Sequence, residues 1–128
     1  MNSASRFILY VADQARSAAF YAHVLGMQPR LHVPGMTEFA LPGGGVLGLM
    51  PVAGIRNLLG AALPDPGAAS GIPRAELYLV LPEPSVCHAR ALAAGARELS
   101  PMLARDWGHA AAYSLDPDGH VLAFASVN

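Results

Sequence analysis

Two stretches of this chain follow one plan. Val11-Ala12-Asp13 leads into a helical stretch that closes on His23-Val24-Leu25-Gly26, and Leu81-Pro82-Glu83 leads into one that closes on Leu92-Ala93-Ala94-Gly95. Further along, Pro42-Gly43-Gly44-Gly45-Val46-Leu47-Gly48-Leu49 is answered by Pro117-Asp118-Gly119-His120-Val121-Leu122-Ala123-Phe124. The offsets are 70 from Asp13 to Glu83, 69 from Gly26 to Gly95 and 75 from Pro42 to Pro117. A near-constant offset over several elements is the mark of a duplicated module. Each copy alone is too short for a comfortable core, so the copies are expected to need each other.

The first copy reads strand, helix, strand, strand, strand. Arg6–Val11 is rich in β-forming residues. Asp13 is placed to cap the helix that follows, and Gly26 to end it in a left-handed conformation. Strands are expected over 28–33, 36–41 and 45–51, separated by Pro34-Gly35 and Pro42-Gly43-Gly44. The pattern restarts with a strand over 74–81, a helix from Glu83 to Gly95 with Pro84 in its first turn, and strands over 96–100, 109–115 and 120–126. Asp116-Pro117-Asp118-Gly119 is a hairpin turn. Residues 52–73 are rich in Gly, Ala and Pro and read as a linker between modules 5–51 and 74–128, with one helical turn over Ile55–Leu59.

Composition narrows the function. Hydrophobic residues make up 53% and charged residues 13% of the chain, which leaves room for a buried subunit interface beside the core. The net charge is −1 and there is no Lys, so nucleic acid is not an expected partner. No apolar run has the length of a membrane span and the first strand leaves no room for a leader, so the chain reads as cytoplasmic. Cys87, the one cysteine, cannot form an intrachain disulfide.

Val11-Ala12-Asp13, Phe20-Tyr21, Val24-Leu25-Gly26-Met27, Glu76-Leu77-Tyr78-Leu79, Asp106-Trp107-Gly108 and Asp116-Pro117-Asp118-Gly119-His120 together resemble the vicinal oxygen chelate superfamily. That group includes glyoxalase I, extradiol dioxygenases and bleomycin-resistance proteins. The resemblance implies an α+β fold in which two βαβββ modules form cupped mixed β-sheets around a cavity. In metal-dependent members, the first and last strands of each module supply the ligands. Carried onto this chain, those positions are Arg6, Gly48 (with Leu49 as its neighbour), Glu76 and Ala123. Arg has no acceptor, and Gly and Ala have no side-chain donor atom. A divalent ion needs three or four protein ligands. The resemblance therefore points to the bleomycin-resistance branch, with no metal or other cofactor expected: a homodimer that binds a small organic molecule, drug sequestration being the model.

On this reading the ligand-binding residues are Glu76, Trp107, Tyr78, Arg6, Met50 and His109, and no catalytic residue is assigned. Trp107 offers a ring for stacking, or it closes the sheet end by packing. Glu76 and Arg6 pair with each other, hold a polar ligand, or end their strands in solvent. Strand parity puts Tyr78 on the face of Glu76 and turns Phe124 toward the helices. His109 follows Trp107-Gly108, which borders the ligand in relatives. His23 and His88 read as solvated helix residues, His32 is left open, and His120, after a tight turn, reads as exposed or locally hydrogen-bonded. The alternative is a metal-dependent glyoxalase-like lyase or extradiol dioxygenase drawing ligands from unusual positions, such as His109 or His120 with Glu76.

Overall fold

The computed structural model describes residues 4–69 and 72–127. Among them, the chain folds as two compact units that divide near residue 70, with residues 23–25 grouped with the second. The first unit contains β1 (Arg6–Val11), α1 (Gln14–Leu25) except its last three residues, β2 (Leu31–Val33), β3 (Met36–Ala40), β4 (Val46–Pro51) and α2 (Val52–Leu59). The second contains β5 (Glu76–Val80), α3 (Pro84–Ala93), β6 (Arg97–Ala104), β7 (His109–Leu115) and β8 (Val121–Val127). Each unit holds one four-stranded mixed sheet, in the order β1-β4-β3-β2 or β5-β8-β7-β6. In both, the first strand runs parallel to the last, and the remaining neighbours are antiparallel. The expected α+β fold with two βαβββ modules is therefore the observed one.

Local chemistry sets the element ends. The Asp13 carboxylate accepts from the Arg16 N–H at 3.0 Å, capping α1. Gly26 ends the helix at φ 66°, a conformation that carries no Cβ penalty in glycine. In the last hairpin, Asp116 Oδ1 accepts from the N–H groups of Asp118 and His120, both at 2.9 Å. This is the side-chain-stabilised turn that Asp favours.

Alternation divides each sheet into two faces. In the first, Leu9, Val11, Leu47, Leu49, Thr37 and Phe39 are buried on one face. Tyr21 of α1 meets Phe39 there, ring centroids 6.5 Å apart. In the second, Leu79, Leu122, Phe124, Ala112 and Ser114 form the covered face. His88 of α3 lies 6.0 Å from Phe124, so Phe124 does face its helix. The opposite faces carry Arg6, Ile8, Tyr10, Glu38, Gly48 and Met50 in the first sheet. In the second they carry Glu76, Tyr78, His109, Ala111, Tyr113 and Ala123.

Several expectations need correction. His88 is buried rather than solvated, because its Nε2 reaches the Glu98 carboxylate at 2.8 Å on β6. The expected strand over 28–33 is only Leu31–Val33. Pro29 has no N–H to give to a ladder, and sheet pairing begins with the Arg30 N–H donating to the Glu38 carbonyl. β6 runs on to Ala104, irregularities at Ser100 and beyond letting it stay paired with β7. The linker is more ordered than a loop. It opens with the eight-residue α2, followed by short 3-10 turns at Gly60–Ala62 and Pro66–Ala68, with Arg56 Nε 3.5 Å from the Asp65 carboxylate.

Replacing Asp13 by Ala removes the cap of α1. The expected loss is about 1 kcal/mol, read as a lower urea midpoint with an unchanged slope.

Candidate functional site

The helix-free face of the second sheet gathers three of the residues singled out in the sequence. Tyr78 points from β5 and His109 begins β7, while Trp107 stands in the turn just before it. The Trp107 indole N–H donates to the Tyr78 hydroxyl oxygen at 2.9 Å. That hydroxyl is 2.6 Å from Nδ1 of His109, with the two rings 5.7 Å apart at 31°. Indole only donates. The arrangement that uses every polar atom has Tyr78 donating in turn to Nδ1. Neutral His109 then carries its proton on Nε2, where it is free to donate outward.

Trp107 is 52% exposed although its N–H is tied down. Its edge is fixed and much of its surface is open. Local sequence explains the placement. Gly108 takes φ 85°, turning the chain between β6 and β7 so that the indole folds back over the sheet.

A second group supports this face. The Arg105 guanidinium donates to the Ala111 carbonyl at 2.8 Å and the Ser100 hydroxyl at 2.7 Å, and lies 5.2 Å over the Tyr113 ring. It thus bridges the irregular stretch of the β6–β7 ladder. Burial, and then the charges of Glu76 and Tyr78, push the Tyr113 phenol up, against the opposing effect of Arg105. Tyr113 therefore stays protonated at neutral pH, and the Glu76 charge is felt on this face.

The first sheet holds a different constellation on the face opposite α1. Glu38 is 6% exposed. Its Oε2 accepts from Arg6 Nε at 2.7 Å, and its Oε1 accepts from Arg30 Nε at 3.1 Å and Nη2 at 3.0 Å. Burial raises the Glu38 pKa, but hydrogen bonds and charge from Arg6 and Arg30 outweigh it and hold the carboxyl below its ordinary value. Arg6 thus has a carboxylate partner, Glu38, within its own sheet. Gly48 lies beside Glu38 in the ladder, and a Cβ there would come within 3.0 Å of Ile8 and 3.2 Å of Met36. Met50 is half-buried on the same face of β4 and contacts α2 near Gly54.

Glu38 and Arg30 were not singled out in the sequence. The available signal was a lone carboxylate in the otherwise uncharged run Met36–Ala40. Its partner Arg30 stands before a short strand and showed no pattern.

The metal positions implied by the resemblance do not fit an ion. Arg6 is a cation already bound to Glu38, Gly48 and Ala123 offer no donor, and Glu76 alone supplies a carboxylate. Among the described residues no three His, Cys, Asp or Glu side chains cluster in a way that could hold a metal. Cys87 is held as a thiol by burial, which raises its pKa.

The sequence profile of the Glyoxalase/Bleomycin resistance protein/Dioxygenase superfamily matches residues 3–124. The chain belongs to this superfamily. Among solved structures it is similar to a glyoxalase-related enzyme from Fulvimarina pelagi, at 25% identity and TM-score 0.77, covering 98% of this chain and 88% of that one. It also resembles a glyoxalase/bleomycin resistance protein/dioxygenase family enzyme from Burkholderia phytofirmans PsJN, at 19% identity and TM-score 0.80, covering 97% and 98%. A glyoxalase/bleomycin resistance protein/dioxygenase from Nocardioides matches at 24% identity and TM-score 0.70, covering 99% and 84%. No curated protein matches the chain. No helix among the described residues is long and apolar enough to cross a membrane.

The depressed Glu38 pKa makes a signed prediction. Its stabilising effect is complete above the unfolded-state value of about 4.3 and is lost as pH falls through the lower native value. Glu38→Gln should cost about 1.5–3 kcal/mol at pH 7. The gap to the parent should narrow steadily in acid, as read from urea midpoints across pH.

Proposed function

We propose that the protein binds a small organic molecule against the helix-free face of the second sheet and performs no chemistry on it, as in drug sequestration. The observation that carries this reading is the hydrogen-bonded chain Trp107–Tyr78–His109. An exposed indole is costly to hold in one orientation unless something fixes it. Here the Tyr78 hydroxyl fixes the indole edge and leaves ring surface for stacking. His109 Nε2 supplies a directional donor. Glu76 supplies the charge that would select a cationic group on the ligand. Arg6 and Met50 stand on the first sheet and form no part of this hydrogen-bonded chain. The reading requires no metal, since the chain offers a single carboxylate at the positions where relatives place ligands.

The same reading takes the protein to be a cytoplasmic homodimer. Exposed Phe7, Leu58, Val86 and Leu99 leave apolar surface for a second copy. Light scattering should give twice the 13.3 kDa chain mass, and a purely monomeric species at micromolar concentration would overturn this part.

Trp107 is the sole tryptophan, so its emission reports on the site directly. A panel of flat cationic drugs and aromatic metabolites should include one that quenches this emission and raises Tm equally with and without a chelator. Tyr78→Phe removes both hydrogen bonds of the chain, and the affinity should fall about tenfold, or about 1.4 kcal/mol. A ligand that raises Tm only with added Zn, Ni, Mn or Fe would defeat the proposal.

A further inference from the structure

Arg6, Glu38 and Arg30 leave one positive charge uncancelled. Two permanent guanidinium cations share one carboxylate, and both carboxylate oxygens are already committed. Glu38 uses Nε of Arg6 and Nε with Nη2 of Arg30. Among the described residues, the two terminal nitrogens of Arg6 and Nη1 of Arg30 take no hydrogen bond. The arginine side chains are 46% and 45% exposed while that of Glu38 is 7% exposed. The carboxylate thus lies beneath two half-open forks and holds them in place. Side chains of this length normally lose rotamer freedom when they bind. Here much of that loss is already met in the folded state, which is what preorganises a site.

The surroundings decide the class of ligand. Ladder register places Ile8, Leu31 and Met36 on the face that bears Glu38, and Ile8 and Leu31 are exposed. Gly48 stands between Ile8 and Glu38 in the ladder and has no side chain, so Ile8 and Met36 close over β4 instead. The result is a single surplus cation bordered by apolar side chains. Phosphate carries more charge than this surplus, and it has no use for the apolar border. A carboxylate matches the planar fork with two parallel N–H···O bonds.

We propose that Arg6 and Arg30, held by Glu38, bind the carboxylate of a small amphipathic organic acid whose apolar part lies along Ile8, Leu31 and Met36. The surface belongs to the first sheet alone and does not depend on the reading of Trp107.

Octanoate is a suitable probe because it has no ring to stack on Trp107. Titrated into the ¹⁵N-labelled full chain, it should shift the Arg6 and Arg30 Nε–H signals and the amides of Leu31, Glu38 and Gly48. Octanol at equal concentration should leave the two Nε–H signals in place, and inorganic phosphate should bind more weakly than octanoate. Arg6→Gln should weaken octanoate about tenfold. Arg6→Lys keeps the charge, and so guards against loss of the fold, but lacks the planar fork; it should also bind more weakly than the parent. Shifts confined to other residues, equal effects of octanol and octanoate, tighter binding of phosphate, or octanoate affinity unchanged in both variants would each overturn the proposal. Trp107 emission, recorded in the same titrations, reports separately on the second sheet, so failure of one reading leaves the other testable.

Discussion

The parallel pairing of first and last strands governs this molecule. β1 lies beside β4, and β5 beside β8, with the helix and two further strands in between. A parallel neighbour cannot be reached by a tight turn, so the chain must cross over one face of the sheet. In each unit the crossover contains a helix that contributes to the covering of that face. Phe39, Leu47 and Leu49 on one sheet, and Leu122 and Phe124 on the other, supply the apolar side it needs. The opposite face is relieved of that duty. Only there can Glu38, Tyr78 and His109 appear without breaking the core.

The polar groups on these faces obey the cost of burial. A carboxylate as enclosed as Glu38 cannot stay ionised without partners. Two guanidiniums meet that need and lower its pKa despite the burial. The Tyr113 phenol illustrates the reverse case: burial and the nearby Glu76 charge favour its neutral form, and Arg105 over its ring only moderates this. Ionised Glu38 and neutral Tyr113 thus follow from one rule applied to different neighbours.

The sequence was most legible where chemistry is local. Asp13, Gly26 and the Asp116–Gly119 turn act within a few residues of themselves, and all three do what their types favour. The repeat revealed the order of elements, because both copies had to fit one topology. Strand parity sufficed to put Tyr78 with Glu76 and to turn Phe124 inward. Tertiary pairing was harder. Arg6 and Glu38 are 32 positions apart, and His88 and Glu98 are neighbours only once α3 lies on β6. Nothing in the local spelling distinguishes a solvated His88 from a buried one. The linker was legible only in part for a related reason: its Gly and Pro content signals a loop, and the expected turn over Ile55–Leu59 is the later part of α2, in which Val52, Ile55 and Leu59 recur at helical spacing and Ile55 is buried.

Duplication makes the contrast between the two open faces instructive. Arg6 and Glu76 begin equivalent strands, one a cation and the other an anion. In the first sheet the cation drew a second arginine onto a shared carboxylate, and the face is left with surplus positive charge. In the second sheet the anion stands on a face where indole, phenol and imidazole are joined in one hydrogen-bonded chain, with Arg105 over Tyr113 beside it. A symmetric ion site would need donors at matching places in both copies. Gly48 and Ala123 are the matching places on the last strands, and neither has a donor to give. With no donor at either position, the two faces carry different polar groups, and the opposite charges on the first strands set them apart.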